Sequence, residues 1–68
     1  MSADREPVTA YVALGANLGD ARQTVLGSLA ALDQLPGTRC TGRSRLYCTA
    51  PFEAQGPDFI NAVARLET

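Results

Sequence analysis

Apolar and polar residues along this chain alternate at strand spacing near both ends and recur at helical spacing between them. In residues 8–14, Val8, Ala10, Val12 and Leu14 share one side, and Thr9, Tyr11 and Ala13 share the other. That is the period of a strand, and apolar groups on both sides point to a central place in a sheet. Gly15-Ala16-Asn17-Leu18-Gly19 breaks the alternation, Asp20 stands where a helix N-cap belongs, and Gln23 three residues on supplies the other half of a capping box. Over residues 21–35, Val25, Leu29 and Leu32 fall within roughly 60° of one another at ~100° per residue. Ala21 lies between them, Leu26 and Leu35 flank the stripe, and Pro36-Gly37 ends the helix.

Residues 38–49 predict a second strand, with Arg39, Thr41, Arg43, Arg45 and Tyr47 on a polar, basic side. Cys40, Gly42, Ser44, Leu46 and Cys48 form a side small enough to lie under the helix. Two prolines and a glycine make residues 50–57 a loop. Residues 59–66 alternate again, Ile60, Ala62, Ala64 and Leu66 against Phe59, Asn61, Val63 and Arg65. The expected order is β-α-β-β. That order reads as α+β, an incomplete ferredoxin-like sandwich with one helix on a three-stranded mixed sheet, residues 1–7 forming a flexible leader and 8–68 one domain portion. Closing such a sandwich takes a further helix and strand, so one strand edge is expected to stay open to a partner or to a second copy.

Composition narrows the chemistry. The chain has 68 residues, a net charge of −1, 46% hydrophobic and 19% charged residues, the profile of an ordinary folded domain. No strong field favours nucleic acid, and the longest apolar run, residues 10–14, is far below the ~20 residues a membrane helix needs. The polar start lacks the apolar stretch of a secretory signal, and the expected location is cytoplasmic. Histidine and lysine are absent, which removes Ser-His and Cys-His nucleophiles, Schiff-base chemistry and a P-loop lysine. Cys40 and Cys48 on a single strand would lie roughly 26 Å apart at ~3.3 Å per residue, beyond the reach of a disulfide. They read as small buried thiols.

Three groups of residues carry candidate chemistry, each with a plainer explanation beside it. Residues 15–20, between strand and helix, have the placement of a ligand loop, but they match no phosphate-loop motif and Asp20 would repel an anion, which favours a tight turn plus cap. Arg39, Arg43 and Arg45 suit a polyphosphate or simply a solvated sheet face. Phe59 and Asn61 share parity, so an aromatic ring and a carboxamide project to one side. A carboxamide presents an acceptor and two donors in a plane, matching the edge of a flat heterocycle, while a phenyl ring stacks on its face. The loop that follows Thr49 offers backbone groups to the same ring, held extended by Pro51. A hydrophobic staple and a turn-capping asparagine are the alternative.

Residues 10–20 (AYVALGANLGD), 44–51 (SRLYCTAP) and 57–68 (PDFINAVARLET) together resemble the 6-hydroxymethyl-7,8-dihydropterin pyrophosphokinases of folate biosynthesis, in order and at matching intervals over nearly all of residues 8–68. The resemblance implies a ferredoxin-like enzyme that moves a pyrophosphoryl group from ATP to the pterin hydroxymethyl oxygen with two Mg2+ ions. By position it implies that Thr49, Ala50, Pro51 and Phe52 meet the pterin through backbone. Phe59 corresponds to the stacking aromatic, Asn61 to the amide that pairs with the ring edge, and Gly15 to the glycine ending the first strand beside the pocket.

The family's later Arg-Trp-x-x-Arg-x-Leu-Asp-x-Asp segment, which holds the metal, the ATP arginines and a second stacking aromatic, has no counterpart in this sequence. The expectation is therefore a pterin-facing half with no catalytic or metal-binding residue, ATP and Mg2+ belonging to the complete enzyme and no turnover expected from these 68 residues alone. Cys48 stands where relatives often carry a basic residue, and the loop before Phe59 is slightly short. Two other readings remain: a small ferredoxin-like (ACT-like) regulatory module that dimerises through its open edge, and a non-functional truncated remnant.

Overall fold

The computed structural model describes residues 6–52 and 55–68. Its elements run β1 (Thr9–Ala16), α1 (Ala21–Asp33), β2 (Arg39–Arg43), β3 (Tyr47–Thr49) and β4 (Phe59–Glu67). The class is α+β, one helix on an open four-stranded sheet. β4 is the hub: β1 pairs along one of its sides, and β2 and β3 share the other, β2 opposite residues 64–67 and β3 opposite residues 59–61.

Three expectations change. The sheet is not mixed, because every bonded pair is antiparallel. β1 is not central; it pairs only with β4 among the described strands. The apolar residues on its second side are explained by exposure instead, since Tyr11 and Ala13 face away from the helix, with Tyr11 70% exposed. The third change is in residues 38–49, which form two strands rather than one. A register shift between Cys40 and Gly42 makes Thr41 the extra residue of a bulge. Ser44 then substitutes side chain for backbone: its N–H donates to Val63 O at 2.8 Å, while its Oγ accepts from Val63 N at 2.9 Å and donates to Arg45 O at 2.7 Å. With the hydroxyl taking the place of a ladder carbonyl, regular pairing stops until Tyr47.

Local chemistry sets the helix ends. Asp20 accepts from Gln23 N at 3.2 Å, the N-cap half of the expected box. The helix ends at Asp33, two residues before Leu35, with Gln34 N bonding back to Ala31 O at 3.1 Å. Gly37, at φ 71, takes the left-handed turn that closes the segment. Leu35 is consequently half exposed rather than part of the buried stripe.

Val25 and Leu29 press onto Ala62, Ala64 and Leu66 of β4, and these five are the buried core. Val12, Leu14, Leu32, Cys40, Leu46 and Ile60 pack around them. Alanines in the middle of β4 let the helix lie close, and Ala64 is fully buried. Even-numbered residues of β4 thus face the helix, and by the strand period Phe59, Asn61, Val63 and Arg65 project from the opposite, helix-free face. β1 is prolonged by one more bonded pair, Val8 with Thr68. Of the expected leader, residues 1–5 lie outside the described residues.

Candidate functional site

Strand register brings the candidate residues together. Asn61 has Gly15 as its partner on β1 and Tyr47 as its partner on β3, and Thr49 stands opposite Phe59. Phe59 and Asn61, two apart on β4, project to the same helix-free face, as their parity requires. Both are half-buried.

The Asn61 carboxamide is held from two sides. Its Nδ2 donates to Thr49 Oγ1 at 2.6 Å. Its Oδ1 lies over Gly15, where a methyl group would sit only 2.9 Å from that oxygen. Glycine here is a matter of space: any side chain on β1 at this position would push the carboxamide away. One Nδ2 hydrogen and the Oδ1 lone pairs remain for a ligand.

The loop residues separate from this cluster. Ala50 and Pro51 continue from the end of β3, and the Phe52 side chain is 88% exposed, so its ring does not join Phe59. The rest of the expected loop includes residues 53 and 54, which lie outside the described residues. On the other bank, Asn17 Nδ2 donates to Pro57 O at 3.4 Å, linking the β1–α1 turn to the segment entering β4. Sequence periodicity could not find this contact, or the pairing of Tyr47 with Asn61, because both depend on how a long loop returns.

Cys48 departs from expectation. Its neighbour across the sheet is Ile60, yet the thiol is exposed, and Cys40 is only half-buried. Both thiols do keep the helix-bearing side, opposite Leu66 and Ile60, but α1 packs on β1, β2 and β4 and does not reach β3, so the helix leaves Cys48 uncovered. Both are free. Cys48 Sγ–H donates to Asp58 Oδ2 at 3.6 Å. Partial desolvation first, then that hydrogen bond and the negative charge of Asp58, raise the thiol above its ordinary value of 9.0. Cys48 is thus a neutral thiol at physiological pH, a weak nucleophile beside the cluster.

The described carboxylates are dispersed, and all but the exposed Glu6 are engaged elsewhere. Asp20 caps the helix, Asp33 accepts from Cys40 N at 2.8 Å, Asp58 accepts from Cys48, and Glu67 meets Arg39 at 3.7 Å. Among the described residues no three metal-ligating side chains converge. A magnesium ion, with its demand for several oxygen ligands, does not fit these residues. The arginines suited to polyphosphate do not form a cluster either. Arg39 is paired with Glu67, and Arg43 and Arg45 fall on opposite sides of the Ser44 break. No helix of the described residues is long and apolar enough to cross a membrane.

Comparison with known proteins gives the arrangement a family. The model of 7,8-dihydro-6-hydroxymethylpterin-pyrophosphokinase matches residues 11–68. The 2-amino-4-hydroxy-6-hydroxymethyldihydropteridine pyrophosphokinase of Pseudomonas aeruginosa is 44% identical over 59 residues, covering 85% of this chain and 36% of the relative. The enzyme of that name from Haemophilus influenzae is 40% identical over 62 residues, covering 90% of this chain and 39% of its own length. A Pseudomonas putida relative is 38% identical over 61 residues, 90% of this chain and 51% of the relative. The chain thus spans between about a third and a half of the length of these relatives. Those matches, of which the family model takes in the helix, β2, β3, β4 and most of β1, establish that the chain belongs to the 7,8-dihydro-6-hydroxymethylpterin-pyrophosphokinase (HPPK) family.

Proposed function

We propose that this chain supplies the pterin-holding residues of an enzyme that transfers a pyrophosphoryl group from ATP to the hydroxymethyl oxygen of 6-hydroxymethyl-7,8-dihydropterin. The observation that carries the proposal is the Asn61 carboxamide, fixed by Thr49 at 2.6 Å beside a glycine that leaves it room, on the face that also carries Phe59. A pterin presents adjacent ring nitrogens, an exocyclic amine and a carbonyl along one edge. A carboxamide held rigid pairs with such an edge at lower entropic cost than a mobile one. Phe59 supplies a flat apolar surface for the ring, Thr49 stands opposite it on β3, and the resemblance assigns the backbone of Thr49, Ala50, Pro51 and Phe52 to the same ring.

Binding and orientation are what these residues do; the ATP and Mg2+ chemistry belongs to the complete enzyme, where metal and cationic groups stabilise the developing charge. The fold plan we assign is ferredoxin-like. In support, β1 and β2 flank β4, both antiparallel to it, so they run the same way and are joined through α1 as a split β-α-β unit.

With Phe59 as the one stacking aromatic that the resemblance assigns among the described residues, the expected pterin affinity is weak. Titrating the 15N-labelled protein with 6-hydroxymethylpterin should shift the resonances of Gly15, Thr49, Phe59 and Asn61 saturably. Asn61→Ala should weaken binding about tenfold, the cost of roughly one or two hydrogen bonds. Unchanged affinity in Asn61→Ala, or shifts centred away from these residues, would refute the assignment. Release of AMP from ATP and pterin by this polypeptide would refute the division of labour.

A further inference from the structure

A second feature occupies the other end of the same face. Tyr11, Gly42, Arg43, Ser44, Val63 and Arg65 line an open hollow of about 320 Å³, within the size range of small-molecule sites. Its β4 residues, Val63 and Arg65, lie two and four positions from Asn61, roughly 7 and 13 Å at ~3.3 Å per residue, and it shares no residue with the pterin reading.

The Arg65 guanidinium is fixed in place. Its Nε donates to Thr41 Oγ1 at 3.1 Å and its Nη2 to Thr41 O at 2.9 Å. Thr41 Oγ1 donates in return to Arg65 O at 3.3 Å. The guanidinium lies face-on to Gly42, where a methyl group would be 2.9 Å from Nη2, 3.2 Å from Cζ and 3.4 Å from Nε. The bulge makes this possible by putting Thr41 out of the ladder and Gly42 opposite Arg65.

These bonds take the edge formed by Nε and Nη2. The remaining edge, Nη1 and Nη2, keeps two parallel N–H groups at the spacing of a carboxylate's oxygens. Among the described residues no carboxylate comes within 4.0 Å of it. The nearest candidate on the same side of β4 is Glu67, which is paired with Arg39. Tyr11, the Cα partner of Arg65 on β1, and Val63 give the hollow apolar walls.

We propose that this hollow binds a small aromatic carboxylate, its two oxygens on the free Nη1–Nη2 edge of Arg65 and its ring against Tyr11 and Val63. The fork selects a planar anion, and the apolar walls select one carried on a ring. The entropy of ordering a long arginine side chain has already been met by Thr41, which is why a small ligand suffices.

The test is an amide and arginine Nε–H NMR titration of the 15N-labelled protein with benzoate, with neutral benzamide, and with inorganic phosphate. Benzoate should shift Tyr11, Gly42, Val63 and Arg65 saturably, with benzamide and phosphate each about tenfold weaker or more. Arg65→Gln should abolish the effect, and Tyr11→Ala should weaken it while Tyr11→Phe retains it. Benzamide binding as well as benzoate would overturn the role of the guanidinium, and phosphate equalling benzoate would overturn selection for a ring. Shifts centred on other residues would overturn the site. Since Arg65 also pins the bulge, loss of fold in Arg65→Gln leaves the benzoate–benzamide comparison on the unaltered protein to decide.

Discussion

Replacing Gly15 by alanine is the sharpest test of how the site is built. The added methyl group would lie 2.9 Å from Asn61 Oδ1, closer than carbon and oxygen pack without repulsion. The carboxamide must turn away, and the movement breaks its 2.6 Å bond to Thr49 Oγ1. Losing that bond costs about 1 kcal/mol, and holding Asn61 off its preferred rotamer about another 1 kcal/mol. Against this, alanine gains roughly 0.5–1 kcal/mol over glycine in a strand interior, and Gly15 has no positive φ that would penalise a side chain.

The net expectation for Gly15→Ala is a loss of about 1 kcal/mol, or ~4–8 °C in melting temperature for a domain of this size. In an Asn61→Ala background nothing remains to collide with, so the same substitution should be neutral or stabilising by roughly 0.5–1 kcal/mol. Urea unfolding of the four proteins in the cycle gives a coupling energy of about 2 kcal/mol if the argument holds. Equal effects of Gly15→Ala in the two backgrounds would refute it, because the penalty would then not pass through Asn61. The single substitution should also weaken pterin binding, since it displaces the donor and acceptor that meet the ring.

Leu29, buried against the alanines of β4, should cost about 2–5 kcal/mol as Leu29→Ala, much of the stability of so small a domain; circular dichroism melts would show a large drop or no transition, and a shift of only a degree or two would contradict the core assignment. Cys48 has its proton-bound form favoured on folding, so its contribution to stability is present below pH 9.0 and is lost as pH rises through the higher folded value. Asp58→Asn removes the charge and weakens the acceptor, so the thiol should titrate lower and react faster with iodoacetamide at pH 8 than in the unaltered protein; an unchanged rate would show that Asp58 does not govern it.

Within one strand or helix, side-chain direction is a local property, and there the sequence was sufficient. Parity placed Phe59 and Asn61 on one side of their strand because the pleat admits nothing else. Helical spacing identified Val25 and Leu29 as the core stripe, and Asp20 as its cap, because hydrogen bonds three and four residues apart need no distant partner. Neighbour relations were different. That β4 rather than β1 is the hub, that Gly15 and Thr49 close on the same carboxamide, and that Arg65 lies across Gly42 all depend on strand pairing between residues far apart in the chain. A single bulge at Thr41, followed by a serine hydroxyl standing in for a carbonyl, was enough to split one expected strand in two, and Cys48 is exposed because the helix packs on β1, β2 and β4 without reaching β3. Period-2 arithmetic holds only while the ladder is unbroken, and what breaks it is a long-range hydrogen bond that tertiary contact alone supplies.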